Sequence, residues 1–207
     1  MTHVKICGVM TAEVAVTCAE LGASAIGLNF VASSPRHVTV DDARQIARAL
    51  RGTNAKVIGV VADLDIEGMR GLAREVGLDS LQLHGNEPPE TLAALLPDAY
   101  KAVRISTRDD VVRARAFAGE HLLVDAKVEG ALGGTGETFD WSLVRDLARE
   151  RKVILAGGLR PENVARAIRE VEPWGVDVAS GVERAPGVKD LDAVRNFLAE
   201  ADVRRRR

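Results

Sequence analysis

The feature that most constrains the fold is a regular alternation of two kinds of segment along the whole chain. Short runs rich in Val, Ile, Leu and Ala are typical of fully buried strands, and each run is followed by a longer stretch with the apolar period of a helix. We predict strands at 3–7, 25–30, 56–62, 80–84, 100–105, 121–125, 152–156 and 176–180. Such alternation predicts a parallel sheet with helical crossovers.

Eight strand–helix units in 207 residues favour one fold, an α/β single (β/α)8 TIM barrel that covers 1–207 as one domain. Aromatic residues are only 3% of the chain, so the core must consist of aliphatic side chains, as barrel interiors do. The alternative is an open doubly wound sheet. It usually has a glycine-rich dinucleotide fingerprint after the first strand, which the sequence from Cys7 to Met10 does not match.

Charge and composition limit the partners that we expect. A net charge of −2 favours neither nucleic acid nor an anionic membrane, and the basic run at 203–207 predicts a disordered, solvated tail. Without an apolar span or a signal peptide we expect a cytoplasmic protein with free Cys7 and Cys18. The His and Cys residues lack zinc-ligand spacing, so we expect no metal. Without a long exposed apolar stripe we expect a monomer.

Glycines after the last two strands predict a phosphate site. Gly157 and Gly158 follow strand seven, and Ser180 and Gly181 follow strand eight. Glycine lets backbone N–H groups approach a ligand, and these two loops commonly bind phosphate in barrel enzymes. Tight turns without a ligand are the alternative explanation.

Other polar residues lie where strands end, at the end of a barrel that holds the active site. Cys7 is either inert packing, as we expect for Cys18 on its helix, or a thiol with a catalytic role. Asp125 follows three buried aliphatic residues, so it is either a cap or ion-pair partner or a carboxylic acid of raised pKa. His84 and Asp177 are possible residues of the mouth.

Two loops add further candidates. Arg36, after strand two, is either a solvated surface residue or a guanidinium that binds a carboxylate through two hydrogen bonds. The loop from Gly130 to Thr138 contains three further glycines and is either slack or a lid over the mouth.

These residues lie in motifs that resemble the phosphoribosylanthranilate isomerase family of tryptophan biosynthesis. The matching segments follow one another in order over nearly the whole chain: KICG, GLNF…SPR, QLHG, GGTG…FDW, LAGGLRPENV and GVDVASGVE…PGVKD. The resemblance implies a (β/α)8 barrel without a cofactor, and a small phosphorylated substrate.

The resemblance also implies roles for individual residues. Cys7 matches the family's general base and Asp125 its general acid, in an Amadori rearrangement of N-(5-phosphoribosyl)anthranilate. Arg36 is expected to hold the anthranilate carboxylate. The phosphate is expected at Gly157, Gly158, Ser180 and Gly181.

Three alternatives remain open at this point. A related histidine-pathway aminosugar isomerase would be expected to use two carboxylates, which Cys7 argues against. A barrel lyase would need a lysine facing the mouth, and Lys5 is expected one layer deeper. A non-catalytic barrel that binds a phosphorylated ligand is the third alternative, and intact Cys7 and Asp125 weigh against it.

Overall fold

A computed structural model describes residues 2–125 and 142–202, which form a closed barrel of eight parallel strands in sequential order. The barrel strands are β1 (His3–Cys7), β2 (Ala25–Asn29), β3 (Lys56–Val61), β4 (Ser80–Leu83), β5 (Ala99–Arg104), β6 (His121–Asp125), β7 (Lys152–Ala156) and β8 (Gly175–Val178). β1 pairs with both β2 and β8, which closes the sheet. The predicted fold class is confirmed.

Within the described residues, one α-helix comes after each barrel strand in the sequence. The helices are α1 (Ala12–Glu20), α2 (Val40–Ala49), α3 (Ile66–Val76), α4 (Pro89–Leu95), α5 (Arg108–Ala114), α6 (Ser142–Glu150), α7 (Pro161–Val171) and α8 (Leu191–Ala201). Several of these helices begin at a residue whose side chain accepts a hydrogen bond from a backbone N–H of the first turn. These N-cap residues are Thr11, Thr39, Asp65 and Thr107. Each described helix is too short or too polar to span a lipid bilayer.

The core has two layers because successive strand residues face opposite sides of the sheet. One layer packs the outward-facing side chains of the strands against the helices, as for Ile6, Val124 and Val176. The other fills the barrel with inward-facing side chains such as Ile58, Leu123 and Ile154. This second layer supports the mouth from below.

Trp174 closes the amino-terminal end of the barrel. The His3 ring stacks on its indole with centroids 4.3 Å apart, and the His121 ring meets it edge-on at 4.6 Å. Lys152 Nζ lies 5.5 Å from the centroid of the same indole. This end is therefore packed, and the opposite end is left for a ligand.

The structure differs from the sequence prediction after the eighth strand. β8 ends at Val178, so Ser180 and Gly181 belong to a short 3-10 turn, Ser180–Val182. A small antiparallel hairpin follows, of β9 (Glu183–Ala185) and β10 (Val188–Lys189), which the periodicity did not predict. The possible lid from Gly130 to Thr138, the predicted helix start at Trp141 and the tail at 203–207 lie outside the described residues.

Candidate active site

A cavity of about 370 Å³ lies at the carboxyl ends of the strands. It is lined by every site residue that the sequence indicated: Cys7, Arg36, His84, Asp125, Gly157, Gly158, Asp177, Ser180 and Gly181. A wider depression of about 660 Å³ opens beside it among the loops after β3, β4 and β5, and shares His84 and Asp125. We assign the site to the smaller cavity, because there Cys7 and Asp125 face the same space.

Cys7 occupies the last position of β1, with its side chain inside the barrel and only 8% of the residue exposed. The neighbouring Gly27 makes the space for the thiol, since an added β-carbon there would lie 2.9 Å from the Cys7 sulfur. Burial raises the pKa of the Cys7 thiol, and the nearby Lys5 ammonium opposes that rise. Lys5 thus supplies a positive charge near the thiol, but the effect of burial on the Cys7 pKa is larger.

Lys5 lies one layer below Cys7, as predicted, and is 1% exposed. Its Nζ donates to Asp177 Oδ1 at 2.8 Å and to Gln82 Oε1 at 2.9 Å. Burial opposes its charge, but the adjacent Asp177 carboxylate outweighs burial and raises the Lys5 pKa. The hydroxyl of Tyr100 donates to Gln82 Oε1 at 3.2 Å. A polar network therefore lies directly beneath the thiol.

The sequence analysis missed Gln82 and Tyr100. Both are inward-facing residues of barrel strands. In the sequence alone, neither can be distinguished from a residue that only fills the barrel interior. A polar Gln in the buried run Leu81–Leu83 was the one available signal, since a buried amide needs partners.

Asp125 ends β6 after the buried residues Leu122, Leu123 and Val124, and is half-buried. It lies in register with Arg104 of β5 on one side and Ala156 of β7 on the other. Its carboxylate lies on the same cavity as Cys7, which stands on a different side of the barrel. Two groups of different chemistry can thus approach one ligand from two directions.

Arg36 crosses over Gly8 and is paired with Glu183. Its Nε donates to Glu183 Oε1 at 2.8 Å and its Nη2 to Oε2 at 2.6 Å. The hydrogen bonds that Arg36 donates to Glu183 are the main cause of a raised pKa of Arg36. The structure therefore places Arg36 at the cavity, with one edge of its guanidinium already bound to a carboxylate of the protein.

Glu183 is held in turn by Lys189 of the hairpin. Lys189 Nζ lies 2.7 Å from Glu183 Oε1 and also donates to the Ala179 carbonyl at 3.1 Å. Burial opposes ionisation of Glu183, but hydrogen bonds from Arg36 and Lys189 outweigh it and lower its pKa. The hairpin therefore fixes the position of Arg36, which the sequence analysis did not foresee.

Two turns meet at the edge of the cavity formed by β7 and β8. Gly157 and Gly158 have φ of 95° and 65°, a left-handed conformation that favours glycine. An added β-carbon at Gly181 would lie 1.9 Å from the Leu159 carbonyl oxygen, so the two turns are in direct contact. Backbone amides from both turns can reach one anion here.

His84 follows β4 directly, and its Nδ1 lies 2.9 Å from Gln82 Nε2. Burial lowers the pKa of His84, and the charges of Asp125 and Asp177 oppose this shift. Asp177 lines the cavity while its Oδ1 accepts from Lys5. Both possible mouth residues thus lie at the site, and each is connected to the polar network beneath it.

Comparison with known proteins agrees with this geometry. A family model described as N-(5'phosphoribosyl)anthranilate (PRA) isomerase matches residues 4–200. A Myxococcus xanthus protein named N-(5'-phosphoribosyl)anthranilate isomerase is 46% identical over 204 residues, which cover 96% of this chain and 95% of that protein. Many further relatives match as well.

Solved structures give the same result. The crystal structure of phosphoribosyl anthranilate isomerase from Thermotoga maritima superposes with a TM-score of 0.89 at 39% identity, and covers 98% of this chain and 99% of that one. A second structure, of a phosphoribosyl anthranilate isomerase in complex with reduced 1-(o-carboxyphenylamino)-1-deoxyribulose 5-phosphate, has a TM-score of 0.86 at 38% identity, with 98% and 99% coverage.

Proposed function

Since the chain belongs to the N-(5'-phosphoribosyl)anthranilate isomerase family of tryptophan biosynthesis, we propose that Cys7 and Asp125 carry out its isomerisation by general base and general acid catalysis. The substrate is N-(5-phosphoribosyl)anthranilate and the product is 1-(2-carboxyphenylamino)-1-deoxyribulose 5-phosphate. The observation that carries the proposal is the one cavity lined by the thiol, the carboxyl group and both glycine turns.

The reaction is an Amadori rearrangement that needs two proton transfers. Asp125, in its protonated form, donates to the furanose ring oxygen, and the ring opens to a Schiff base. Cys7, as thiolate, removes the proton from the second ribose carbon, and the enolamine that results tautomerises to the ketone. Each transfer to or from a positioned side chain contributes about 10²–10⁴-fold to the rate, and neither step requires a cofactor.

The phosphate binds to backbone amides of the two turns at β7 and β8. The left-handed conformations of Gly157 and Gly158 and the contact between Gly181 and Leu159 support this assignment, because they bring backbone N–H groups of two segments to one edge. Ser180 contributes its hydroxyl. Binding the phosphate away from the reacting carbon fixes the position of the sugar between acid and base.

Arg36 binds the anthranilate carboxylate through the edge that Glu183 leaves open. Because Nε and one hydrogen of Nη2 are directed at Glu183, the substrate binds at the Nη1–Nη2 edge. The ion pair with Glu183 holds the guanidinium in place before the substrate arrives, which reduces the entropy cost of binding.

Loss of either proton-transfer group should abolish turnover. In Cys7→Ser and Asp125→Asn we expect kcat to fall at least about a hundredfold with nearly unchanged affinity for the product, since general catalysis contributes 10²–10⁴-fold. The measurement is the decay of phosphoribosylanthranilate fluorescence. Cys18→Ser is the matched control, because Cys18 is a buried thiol of α1 outside the cavity.

Retention of more than about a tenth of wild-type turnover in Cys7→Ser would contradict the general base. The same assay tests the binding-only alternative, because a non-catalytic barrel would convert no substrate and would keep its ligand in both variants.

Removal of Arg36 should weaken substrate binding more than turnover. In Arg36→Ala we expect KM to rise about tenfold or more, because a charge-assisted pair with a carboxylate is lost. Arg36→Lys should recover only part of this loss, since an ammonium cannot form two parallel hydrogen bonds. An unchanged KM in Arg36→Ala would remove this residue from the site.

We also propose a single-domain monomer in the cytoplasm. The buried free thiols of Cys7 and Cys18 suit a reducing compartment. Among the described residues, the large exposed apolar side chains Leu64, Val112 and Val188 lie far apart in the sequence and form no continuous stretch. One solved relative, 36% identical, is described as monomers of a dimeric enzyme from Thermotoga maritima, so light scattering on the purified protein is the decisive measurement. Cell fractionation tests the location.

A further inference from the structure

Lys5, Gln82 and His84 form a hydrogen-bonded chain that has no part in the proposed reaction, and Gln82 and His84 line the cavity. Lys5 Nζ lies 2.9 Å from Gln82 Oε1, and Gln82 Nε2 lies 2.9 Å from His84 Nδ1. Lys5 and Gln82 are each only 1% exposed, so bulk water does not compete for their polar atoms. The chain therefore connects a buried ammonium group to an imidazole at the mouth.

The chemistry of its first member sets the direction of every bond. An ammonium group can only donate, so the atom of Gln82 that faces Lys5 must be the amide oxygen. The hydroxyl of Tyr100 lies 3.2 Å from the same oxygen. The other end of the amide is then the NH2 group, which can only donate. Gln82 therefore presents a donor to His84.

This donor determines which ring nitrogen of His84 carries the proton. Nδ1 must accept from Gln82, so it has a lone pair, and the proton of the neutral ring is on Nε2. An imidazolium would place an N–H against the amide N–H, so the same contact disfavours the charged ring. Burial also lowers the pKa of His84, in agreement with a neutral imidazole.

The Nε2–H is left for a ligand. Part of His84 is exposed to solvent, and the residue lines the cavity together with Cys7 and Asp125. Its Nδ1 is used by Gln82, so Nε2 is the ring nitrogen that can reach a bound molecule. β4 lies across the barrel from β8, and the turns of the proposed phosphate site follow β7 and β8. A ligand held there by its phosphate therefore extends its other end towards His84.

We propose that His84 is a substrate-binding residue whose Nε2–H donates to a substrate oxygen remote from the phosphate, and that Gln82 and Lys5 are positioning residues that hold it in this tautomer. The inference rests on the proposed function and extends the same site. The acceptor is an oxygen of the ribose hydroxyls or of the anthranilate carboxylate, both of which can accept from a neutral N–H.

The tautomer is tested directly by long-range ¹H–¹⁵N NMR of the labelled protein near neutral pH. The His84 signals are identified by their loss in His84→Gln. We expect an unprotonated Nδ1 and a protonated Nε2 in the wild-type protein. A proton on Nδ1 would overturn the proposal. Gln82→Glu keeps the shape and the acceptor for Lys5, but presents an acceptor to His84. There we expect the proton to appear on Nδ1, and an unchanged spectrum would show that Gln82 does not set the tautomer.

The substrate contact is tested by titration and kinetics. Reduced 1-(o-carboxyphenylamino)-1-deoxyribulose 5-phosphate should shift the Nε2 signal. A shift with ribose 5-phosphate alone identifies a hydroxyl acceptor, and a shift only with the complete analogue identifies the carboxylate. In His84→Ala we expect KM to rise about tenfold with kcat within about threefold, and a partial recovery in His84→Gln, which retains an N–H donor.

The outcomes separate this inference from the proposed function. An unshifted Nε2 signal at saturation, or an unchanged KM in His84→Ala, would overturn the substrate contact even if wild-type turnover is normal. A wild-type protein that binds the analogue with the expected shift but converts no substrate would contradict the acid–base proposal and leave the role of His84 intact.

Discussion

The thiol of Cys7 has surroundings with opposing effects on its ionisation. Burial raises its pKa, while the Lys5 ammonium below it favours the thiolate. Lys5 can stay charged inside the barrel because Asp177 and Gln82 accept its hydrogen bonds. The network therefore offsets part of the effect of burial on the Cys7 pKa, which an aliphatic layer in its place would not do.

Substitution of Lys5 should change both stability and the pH profile. In Lys5→Met the Asp177 carboxylate loses its cation, and loss of one partner of a buried pair costs about 3–5 kcal/mol of unfolding free energy. The thiolate forms as pH rises through the Cys7 pKa, and the variant raises that pKa further. We therefore expect the rising limb of kcat/KM to move to higher pH, measured alongside urea unfolding.

Lys56→Met is the matched control, because Lys56 pairs with Asp79 at the surface with 64% of its side chain exposed. An exposed pair contributes less than about 1 kcal/mol and should leave the pH profile unchanged. If the two variants lost the same free energy of unfolding, the buried Lys5–Asp177 pair would not contribute more to stability than an exposed pair.

The sequence located residues that stand at strand ends, but not the partners that orient them. Cys7 and Asp125 could be predicted because each directly follows a buried run and barrel sites occupy that end. Glu183 could not be predicted as the partner of Arg36, since the two are 147 residues apart and meet only when the barrel closes. The same holds for Lys5 and Gln82, 77 residues apart.

At the level of elements, the turns after β7 and β8 form one unit through a contact of backbone with backbone. An added β-carbon at Gly181 would lie 1.9 Å from the Leu159 oxygen, far inside van der Waals distance. A larger residue must therefore push the two turns apart, and with them the amides proposed to hold the phosphate.

Gly181→Ala should thus weaken both the fold and the affinity for phosphate. We expect a loss of about 1–3 kcal/mol from overpacking, together with a higher KM. Gly71→Ala is the control, because Gly71 lies inside α3 with open space around it. That change should stabilise the protein by about 0.5–1 kcal/mol, and calorimetry measures both. A Gly181→Ala protein as stable as wild type would show that the turns can separate freely.

The alternation of apolar periods was enough to predict all eight barrel strands within two residues at each end, because each strand is buried on both sides. It was not enough for the β9–β10 hairpin. Those strands have three and two residues, and one of them is mostly exposed, so they have no apolar period to detect. In the fold, Glu183 of this hairpin binds Lys189 of its second strand and Arg36 of the loop after β2.

For the whole molecule, the packed end of the barrel contributes to the loss of stability in acid. Burial, followed by the charges of His121 and Lys5, lowers the His3 pKa from 6.5 to about 4. The unfolded chain therefore binds a proton before the folded one does. Stability from this group is fully present above pH 6.5 and is lost as pH falls towards 4.

We expect His3→Phe to reduce the acid sensitivity of the fold. Phenylalanine keeps an aromatic ring against Trp174 but does not titrate. Between pH 6.5 and 4 the wild type should lose roughly 2 kcal/mol more than the variant, a figure reduced for the partial exposure of the ring. Urea unfolding across this range measures the difference, and parallel curves for the two proteins would contradict it.

The pairing of β1 with β8 has a consequence for the chain during synthesis. The ribosome synthesises β1 first and β8 last. The carboxylate that binds Lys5 is that of Asp177 on β8, 172 residues later in the chain. Until that final strand docks, a nascent chain has a lysine without its counter-ion and lacks one wall of the pocket. We therefore expect activity only after the whole chain has been made, and no activity in fragments that end before β8.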